Sequence, residues 1–337
     1  CYIWGGWGDF FAHDIFNWYR TLKTPKKLMV GPWYHTGSLV SQDPCWATEH
    51  LRWYDYWLKG IDNGIMDEAP IRMFRCEATN EPKPGAVRKK PDGNEIPPDY
   101  YDCGEWHEYA QFPVPGLQDK KYYFHGGRTG SVNSVNDGGL IGYEPREASA
   151  SDAYVVDYSV TKFEFMDRNY YSVQRPRDFT SMDEKSLTYT SAPLAHDMEL
   201  TGFPVAHLFV SSTAKDVDFY CYVDDVDEEG HSHQISEGRI RAAVRGTVEP
   251  PYDNMGLPFH RNCERDQQEM PINEVVEIPF ALTPLSNLVK AGHRLRITVN
   301  NCDKGNWDSP ELSPAPTIHM YRDKNHASYV TLPVVQK

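Results

Sequence analysis

The 337-residue sequence predicts a mixed α/β segment followed by an all-β domain. Strand-like and helix-like patterns alternate through residues 1–60, an order typical of a parallel α/β sheet. From residue 117 onward, short runs of alternating apolar and polar residues replace them, as in a β-sandwich or jelly roll. Hydrophobic residues make up 40% of the chain, so both parts have enough apolar side chains for a core.

The α/β segment consists of two strand–helix pairs. Residues 1–4 ("CYIW") predict a short buried strand, which a glycine-rich bend follows. "HDIFNWYRTL" (13–22) has its apolar residues at helical spacing, and "KLMV" (27–30) predicts a second buried strand. "WATEHLRWYDYWLKG" (46–60) predicts a second helix that ends at Gly60, with an apolar face formed by Trp46, Leu51, Tyr54 and Leu58. The short connections favour parallel strands lying side by side.

A change of composition separates the two predicted domains. "APIRMFRCE" (69–77) predicts one more strand, and residues 82–116 are rich in Pro, Gly and charge, as in a linker. We therefore predict an α/β domain over residues 1–116, including this linker, and a β-sandwich or jelly roll over residues 117–337.

Short alternating runs fill the second domain. In "RLRITVN", Leu295, Ile297 and Val299 alternate with polar residues, so the two sets should point to opposite faces of a strand. Comparable runs are "AHLFVSS", "DFYCYVDDV", "EVVEIPFAL" and "YVTLPVV". "HSH" (231–233) is a weak metal-site candidate, because two imidazoles on a strand lack a third ligand. "DEEGHSH" (227–233) instead predicts a hairpin turn.

Charge and cysteine usage exclude several classes of protein. The net charge of -14 at pH 7 disfavours nucleic acid as a partner, because phosphates would be repelled. No apolar run approaches the roughly 18 residues of a membrane span. The 7 cysteines are odd in number and lack C-x-x-C spacing, so we expect neither a metal site nor a disulfide framework. No cofactor is expected, and the cysteines favour a reducing compartment such as the cytoplasm. The sequence does not decide whether the protein forms a homo-oligomer or whether a signal peptide lies upstream.

Asp9 and His35 each come just past the end of a predicted strand. Residues in such positions on adjacent parallel strands gather at one sheet edge, where α/β active sites form. A carboxylate there can hold an imidazole in one tautomer and stabilise the imidazolium. The order Asp then His matches the order nucleophile, acid, histidine of the α/β-hydrolases. The alternative is that both are structural loop residues.

A serine nucleophile is not evident in the sequence. No G-x-S-x-G elbow occurs in the 337 residues, and "TGSVN" around Ser131 and "HASYV" around Ser328 lack the glycine pattern. The elbow belongs on an earlier strand, and the sequence begins at Cys1 inside a strand-like run. A strand that starts without a cap or polar lead-in leaves backbone groups needing partners, so we expect the C-terminal portion of a longer protein.

Several sequence blocks resemble the cocaine esterase / X-Pro dipeptidyl-peptidase-like family of serine hydrolases (CocE/NonD type). This family includes α-amino acid ester hydrolases and glutaryl-cephalosporin acylases. The resemblance spans nearly the whole chain and is weakest at about 82–100 and 160–180. The blocks that carry it, in order, are "GGWGDFF", "KLMVGPWYHTG", "RWYDYWLKGIDNGI", "APIRMF", "LTYTSAPLAHDMELTG", "HLFVSSTAKDVDFYCYVDDVDEEG", "LVKAGHRLRITVNN" and "HASYVTLPVV".

The resemblance implies a fold and an activity. Residues 1–116 would be the C-terminal part of an α/β-hydrolase domain, and residues 117–337 the family's jelly roll. Asp9 and His35 match the family's acid and base, whereas its serine, oxyanion-hole groups and cap would lie outside this chain. The full protein would hydrolyse a small-molecule ester or amide through an acyl-enzyme, and the isolated chain would be inactive. The alternative is a non-catalytic jelly-roll protein that binds carbohydrate or another ligand and carries a hydrolase remnant.

The residues after Asp9 bear on the substrate. By the resemblance, α-amino acid ester hydrolases carry carboxylates two and three residues after the catalytic aspartate, where this sequence has Phe11 and Ala12. We therefore expect an apolar acyl pocket, to which Phe10 and Phe11 contribute. The further candidates for contact with substrate are Trp7 and Trp33. The alternative for all of these aromatic residues is packing.

Overall fold

The computed structural model shows a protein built mainly from strands, with few helices. It describes residues 1–33, 46–77, 88–89, 95–96, 104–161 and 178–336. These residues form two compact units, one ending at Leu117 and the other beginning at Gln118. Longer helices at the start of the chain and strands through the rest are what the sequence patterns predict.

The first unit contains a parallel sheet with helices between its strands. Its elements are β1 (Tyr2–Gly6), α1 (Ala12–Thr21), β2 (Lys27–Gly31), α2 (Trp46–Lys59), β3 (Ile71–Glu77), β4 (Arg88–Lys89), β5 (Glu95–Ile96) and β6 (Gly104–Tyr109). β1 pairs in parallel with β2, from Tyr2 opposite Lys27 to Gly6 opposite Gly31. β2 pairs in parallel with β3. The predicted parallel arrangement of strands separated by helices is confirmed.

α1 buries the face that its sequence spacing predicts. Ile15, Phe16 and Tyr19 are buried, while Trp18 on the other side is 64% exposed. A Cβ at Gly5 of β1 would overlap the Ile15 side chain, so the glycine lets the helix approach the strand closely.

α2 turns its apolar stripe outward. The helix is confirmed, but Leu51, Tyr54 and Leu58 on the predicted apolar face are exposed. Trp53 and Glu49 occupy the buried side, where the Tyr2 hydroxyl donates a hydrogen bond to Glu49 Oε2 at 3.0 Å. α2 therefore carries several large apolar side chains on its exposed side.

Part of the predicted linker is an ordered strand. β6 pairs antiparallel with β3, from Ile71 opposite Tyr109 to Cys76 opposite Gly104. The Trp106 ring packs edge-on against Phe74 at 5.4 Å between centroids. This aromatic cross-strand pair stabilises the pairing of β3 with β6 through packing. The Pro-rich composition of residues 82–116 gave no sign of a strand here.

The second unit is strand-rich and mostly antiparallel. Its elements are β7 (Leu117–His125), β8 (Gly138–Ile141), β9 (Ser151–Val155), α3 (Thr180–Asp183), β10 (Leu187–Thr190), β11 (Met198–Gly202), β12 (Val205–Ser212), β13 (Asp218–Val226), β14 (Ser232–Arg241), β15 (Val276–Ala281), β16 (Leu285–Val289), β17 (Arg294–Asn300), β18 (Thr317–Tyr321) and β19 (Tyr329–Val335). β13 pairs antiparallel with β14 and β17, and β12 with β15, β18 and β19. β13 is buried along its whole length, so the core of this unit lies around it.

The polar face of β17 is buried, whereas the alternating sequence predicts that this face points to solvent. Arg296 and Thr298 are 0% exposed, although the sequence alternation places them on a polar face. The carboxylate of Asp183, at the end of α3, accepts hydrogen bonds from both side chains. A guanidinium is buried only where a counter-charge or hydrogen-bond acceptors pair with it. Asp183 of α3 supplies that counter-charge, so this face of β17 can be buried.

Neither a disulfide nor a membrane-crossing helix occurs in the described residues. The cysteines there are free thiols, at positions 1, 76, 221, 263 and 302. None of the described helices combines the length and the apolar character that crossing a bilayer requires.

Candidate active site

The ends of β1 and β2 lie side by side and stay hydrogen-bonded beyond the strands. The Trp7 N–H donates to the Gly31 carbonyl at 3.1 Å. The Gly8 N–H donates to the Trp33 carbonyl at 3.2 Å. Gly8, which precedes Asp9, is therefore hydrogen-bonded to Trp33, which lies two positions before His35 in the sequence.

Asp9 forms the tight turn that leads from β1 into α1. Its N–H donates to the Gly6 carbonyl at 3.1 Å, and its own carbonyl accepts the Ala12 N–H at 3.0 Å. Its Oδ1 accepts the Phe11 N–H at 3.0 Å, the hydrogen bond of an Asx-turn. The side chain is half-buried, and the local backbone holds it just past the carboxyl end of β1.

His35 lies outside the described residues, which stop at Trp33 in this part of the chain. The pairing of His35 with Asp9 therefore stays a prediction.

Phe10 and Phe11 form an exposed aromatic pair beside Asp9. Their side chains are 57% and 48% exposed, and their ring centroids are 4.3 Å apart. Both rings are too exposed to be core residues, which is the alternative that the sequence left open for them. They supply apolar surface next to the candidate acid.

Trp7 and Trp33 are each only 5% exposed. The Trp7 indole N–H donates to the Phe74 carbonyl at 2.7 Å, which ties the end of β1 to β3. The Trp33 ring stacks on Trp4 at 6.0 Å between centroids. Burial gives both residues a packing role around the turn that carries Asp9, and it leaves them little surface for contact with substrate.

Asp14, the other carboxylate near this edge, occupies the first turn of α1. Its side chain is 58% exposed and lies 3.9 Å from His13 Nδ1. Burial lowers the pKa of His13. An exposed carboxylate in the first turn of a helix interacts favourably with the helix dipole, which gives Asp14 a local role on α1.

The second unit holds histidine–aspartate contacts that the sequence did not indicate. His293 Nδ1 lies 2.7 Å from Oδ1 of the buried Asp225. Asp227 contacts both imidazoles of "HSH", His231 at 3.2 Å and His233 at 3.1 Å. The predicted hairpin turn is confirmed for residues 227–231, whereas Ser232 and His233 already belong to β14. Within the described residues, no group of His, Cys, Asp and Glu is arranged to hold a metal ion.

Comparisons with known proteins bear on the whole chain. Residues 63–331 match the family of the X-Pro dipeptidyl-peptidase C-terminal non-catalytic domain. A protein of Mycobacterium tuberculosis (strain CDC 1551 / Oshkosh) named as a serine esterase is 31% identical over 358 residues, covering 99% of this chain and 50% of the relative. The cocaine esterase of Rhodococcus sp. (strain MB1 Bresler) is 21% identical over 366 residues, covering 99% of this chain and 56% of the relative.

A solved structure shares the fold. A CocE/NonD family hydrolase from Staphylococcus aureus superposes with a TM-score of 0.71 at 15% identity, over 99% of this chain and 54% of its own. The chain spans about half the length of the curated relatives it matches. Asp9 precedes the range matched by the C-terminal domain family.

Proposed function

The chain belongs to the CocE/NonD-type family of hydrolases, and from this premise we propose that it forms part of a longer serine hydrolase that cleaves an ester or amide bond through an acyl-enzyme. In this proposal the chain supplies the acid, Asp9, and the base, His35. The serine and the oxyanion-hole donors come from outside it. Residues 1–116 then complete an α/β-hydrolase domain, and residues 117–337 form its jelly-roll companion.

One observation carries the assignment of the acid and base. The Gly8 N–H donates to the Trp33 carbonyl at 3.2 Å, so the chain before Asp9 is fixed to the chain before His35. His35 follows Trp33 by two residues, and two residues of extended backbone span at most about 7 Å. This short reach supports the pairing of the imidazole with the Asp9 carboxylate at one sheet edge.

The proposed chemistry gives each residue one role. His35 accepts the proton of the serine hydroxyl as the serine attacks the carbonyl carbon, and it later returns that proton to the leaving group. Asp9 accepts a hydrogen bond from the other imidazole nitrogen and stabilises the imidazolium that forms. Water then attacks the acyl-enzyme, with His35 as the base again.

The exposed pair of Phe10 and Phe11 supports an apolar acyl group in the substrate. Two accessible rings directly after the candidate acid form a surface on which an alkyl or aryl group can pack. No carboxylate stands at position 11 or 12 to attract a substrate ammonium group. We therefore propose a small-molecule ester with an apolar acyl group as the substrate class.

The test compares the longer protein with the isolated 337-residue chain on p-nitrophenyl butyrate. The longer protein should turn over and should react covalently with a fluorophosphonate at a serine outside this chain. The isolated chain should show no turnover above background and no labelling. Turnover by the pure chain that His35→Ala abolishes would place the nucleophile inside these residues. A longer protein that neither turns over nor labels would favour the non-catalytic binding alternative.

A further inference from the structure

Gly6 and Gly31 face each other at the ends of β1 and β2, and the Trp33 indole folds back over both. A Cβ at Gly31 would overlap the benzene ring of the Trp33 indole. A Cβ at Gly6 would overlap the Trp33 carbonyl oxygen as well as the ring. Neither glycine has a positive φ, so space, rather than backbone freedom, is what requires glycine at these two positions.

Gly6 also makes a hydrogen bond that holds the Asp9 turn. The Gly6 carbonyl accepts the Asp9 N–H at 3.1 Å, while the absent side chain of Gly6 admits the Trp33 carbonyl to the Gly8 N–H. Trp33 is 5% exposed and stacked on Trp4, so its ring cannot move aside into solvent. Gly6 therefore touches both the turn that carries Asp9 and the backbone of Trp33.

We propose that Gly6 and Trp33 are positioning residues, which fix the Asp9 carboxylate relative to the main chain of Trp33 just past the end of β2. This inference rests on the proposed role of Asp9 as the acid partner of a catalytic histidine. The two residues act through the geometry of Asp9. Their close contact sets the separation of the two chain segments, and proton transfer in the active site depends on that separation.

The first test is Gly6→Ala in the longer, serine-containing protein. The new methyl group must push the Trp33 carbonyl away and break its hydrogen bond with Gly8. A displacement of about 1 Å near reacting groups can cost about 10²-fold in rate, so we expect kcat to fall by that order while KM changes far less. A carboxylate raises the pKa of a nearby imidazole. The midpoint of the kcat/KM pH profile should therefore move to lower pH.

Gly5→Ala is the matched control on the same strand. Its methyl group would overlap the Ile15 side chain, most closely at the Cδ1 methyl, and the three atoms nearest to it all belong to Ile15 and none to Trp33. General damage to β1 should lower the melting temperature of both variants, but only Gly6→Ala should move the pH midpoint. Equal kinetic behaviour of the two variants would overturn the inference.

A rescue experiment keeps the inference testable if Gly6→Ala does not fold. The three atoms nearest to a Cβ at Gly31 all belong to the Trp33 ring, so Gly31→Ala should lower kcat. Because Leu is smaller than Trp, Gly31→Ala should cost less kcat in a Trp33→Leu background than in the parent, which is a partial rescue. The same second change should not rescue Gly6→Ala, because its methyl group also meets a main-chain oxygen. Absence of any rescue in the Gly31→Ala protein would contradict the proposal.

Failure of the inference and failure of the proposed function are distinguishable. If Asp9→Asn and His35→Ala both keep full activity, the catalytic assignment itself is wrong. If both abolish activity while Gly6→Ala behaves like Gly5→Ala, only the positioning role is wrong.

Discussion

Arg296 and Asp183 form an ion pair in which both side chains are fully buried. Arg296 Nη1 donates to Asp183 Oδ2 at 2.6 Å, and Nε donates to Thr190 Oγ1 at 3.0 Å. The Thr298 hydroxyl donates to the other carboxylate oxygen at 2.8 Å. Burial raises the pKa of the Asp183 carboxyl, and the guanidinium opposes that rise. The pair joins α3 to the middle of β17.

Replacing Asp183 with Asn should destabilise the protein by about 3–5 kcal/mol, because the Arg296 guanidinium then lacks a counter-charge in a buried position. The double change Asp183→Leu with Arg296→Met should cost much less than the sum of the single changes, since both charges leave together. Equilibrium unfolding in urea measures the free energy of unfolding of Asp183→Asn, of the two single changes and of the double change. Single changes whose costs simply add would contradict this account of the pair.

Lys304→Ala is the control for this measurement. It removes an ion pair with Glu311 in which the two side chains are 62% and 57% exposed. An exposed pair contributes at most about 1 kcal/mol, so the loss should be several-fold smaller than for Asp183→Asn.

In the longer protein, Asp9→Asn should lower kcat by about 10⁴, with KM changed far less. A comparable triad loses about that much when its aspartate becomes asparagine, because the imidazole then adopts the wrong tautomer. Asp14→Asn is the matched control, because its side chain is 58% exposed on the first turn of α1 and should matter little. Steady-state kinetics of both variants on one ester decide the assignment. A large loss of kcat in Asp14→Asn, together with nearly unchanged kcat in Asp9→Asn, would show that the acid is misassigned.

The pair of His293 and Asp225 should make stability depend on pH. The hydrogen bond to Asp225 raises the pKa of His293 more than burial lowers it. Burial raises the pKa of Asp225, although His293 opposes the rise. Both groups therefore bind a proton more tightly in the folded chain than in the unfolded chain. The stability that His293 contributes is fully present below about pH 6.5, the unfolded histidine pKa, and is lost as pH rises through the raised His293 pKa. The contribution of Asp225 is fully present only below about pH 3.9, the unfolded aspartate pKa, and is lost as pH rises through the raised Asp225 pKa.

His293→Gln tests this dependence. The difference in melting temperature between the parent and this variant should be larger at pH 5.5 than at pH 8. Burial raises the pKa of the neighbouring Asp227, but hydrogen bonds from His233 and the His231 backbone outweigh it and lower that pKa. The stability that Asp227 contributes is lost only at more acidic pH, below this window. A difference that is equal at both pH values, or larger at pH 8, would contradict the assigned direction.

Limited proteolysis of the isolated chain should cut before about residue 117 first. A parallel sheet needs cover on both faces, and the first unit exposes many large apolar side chains. They are Phe10, Phe11, Trp18, Leu51, Tyr54, Trp57, Leu58 and Ile61. The longer protein under the same conditions is the control, and in it the first unit should gain protection. Equal resistance of both units in the isolated chain would count against a covering segment.

Short-range patterns in the sequence were enough to predict the order of the elements in the first unit. Helical spacing predicted α1 and α2, and the apolar runs before Gly-Pro and glycine-rich bends predicted β1 and β2. Family resemblance, carried by ordered blocks, identified the hydrolase family that the comparisons confirm. These signals are local in the chain, so they can be read without knowing which segments meet.

Only the tertiary structure decided which side chains are buried and which ones meet. Arg296 alternates on a polar face, and nothing nearby in the sequence shows that Asp183, 113 positions away, pairs with it. The outward direction of the apolar side of α2 and the contact of Trp33 with Gly6 are further examples. Such contacts join residues that are distant in the chain. Periodicity fixes which residues share a face of an element, but the packing of the other elements fixes what that face touches.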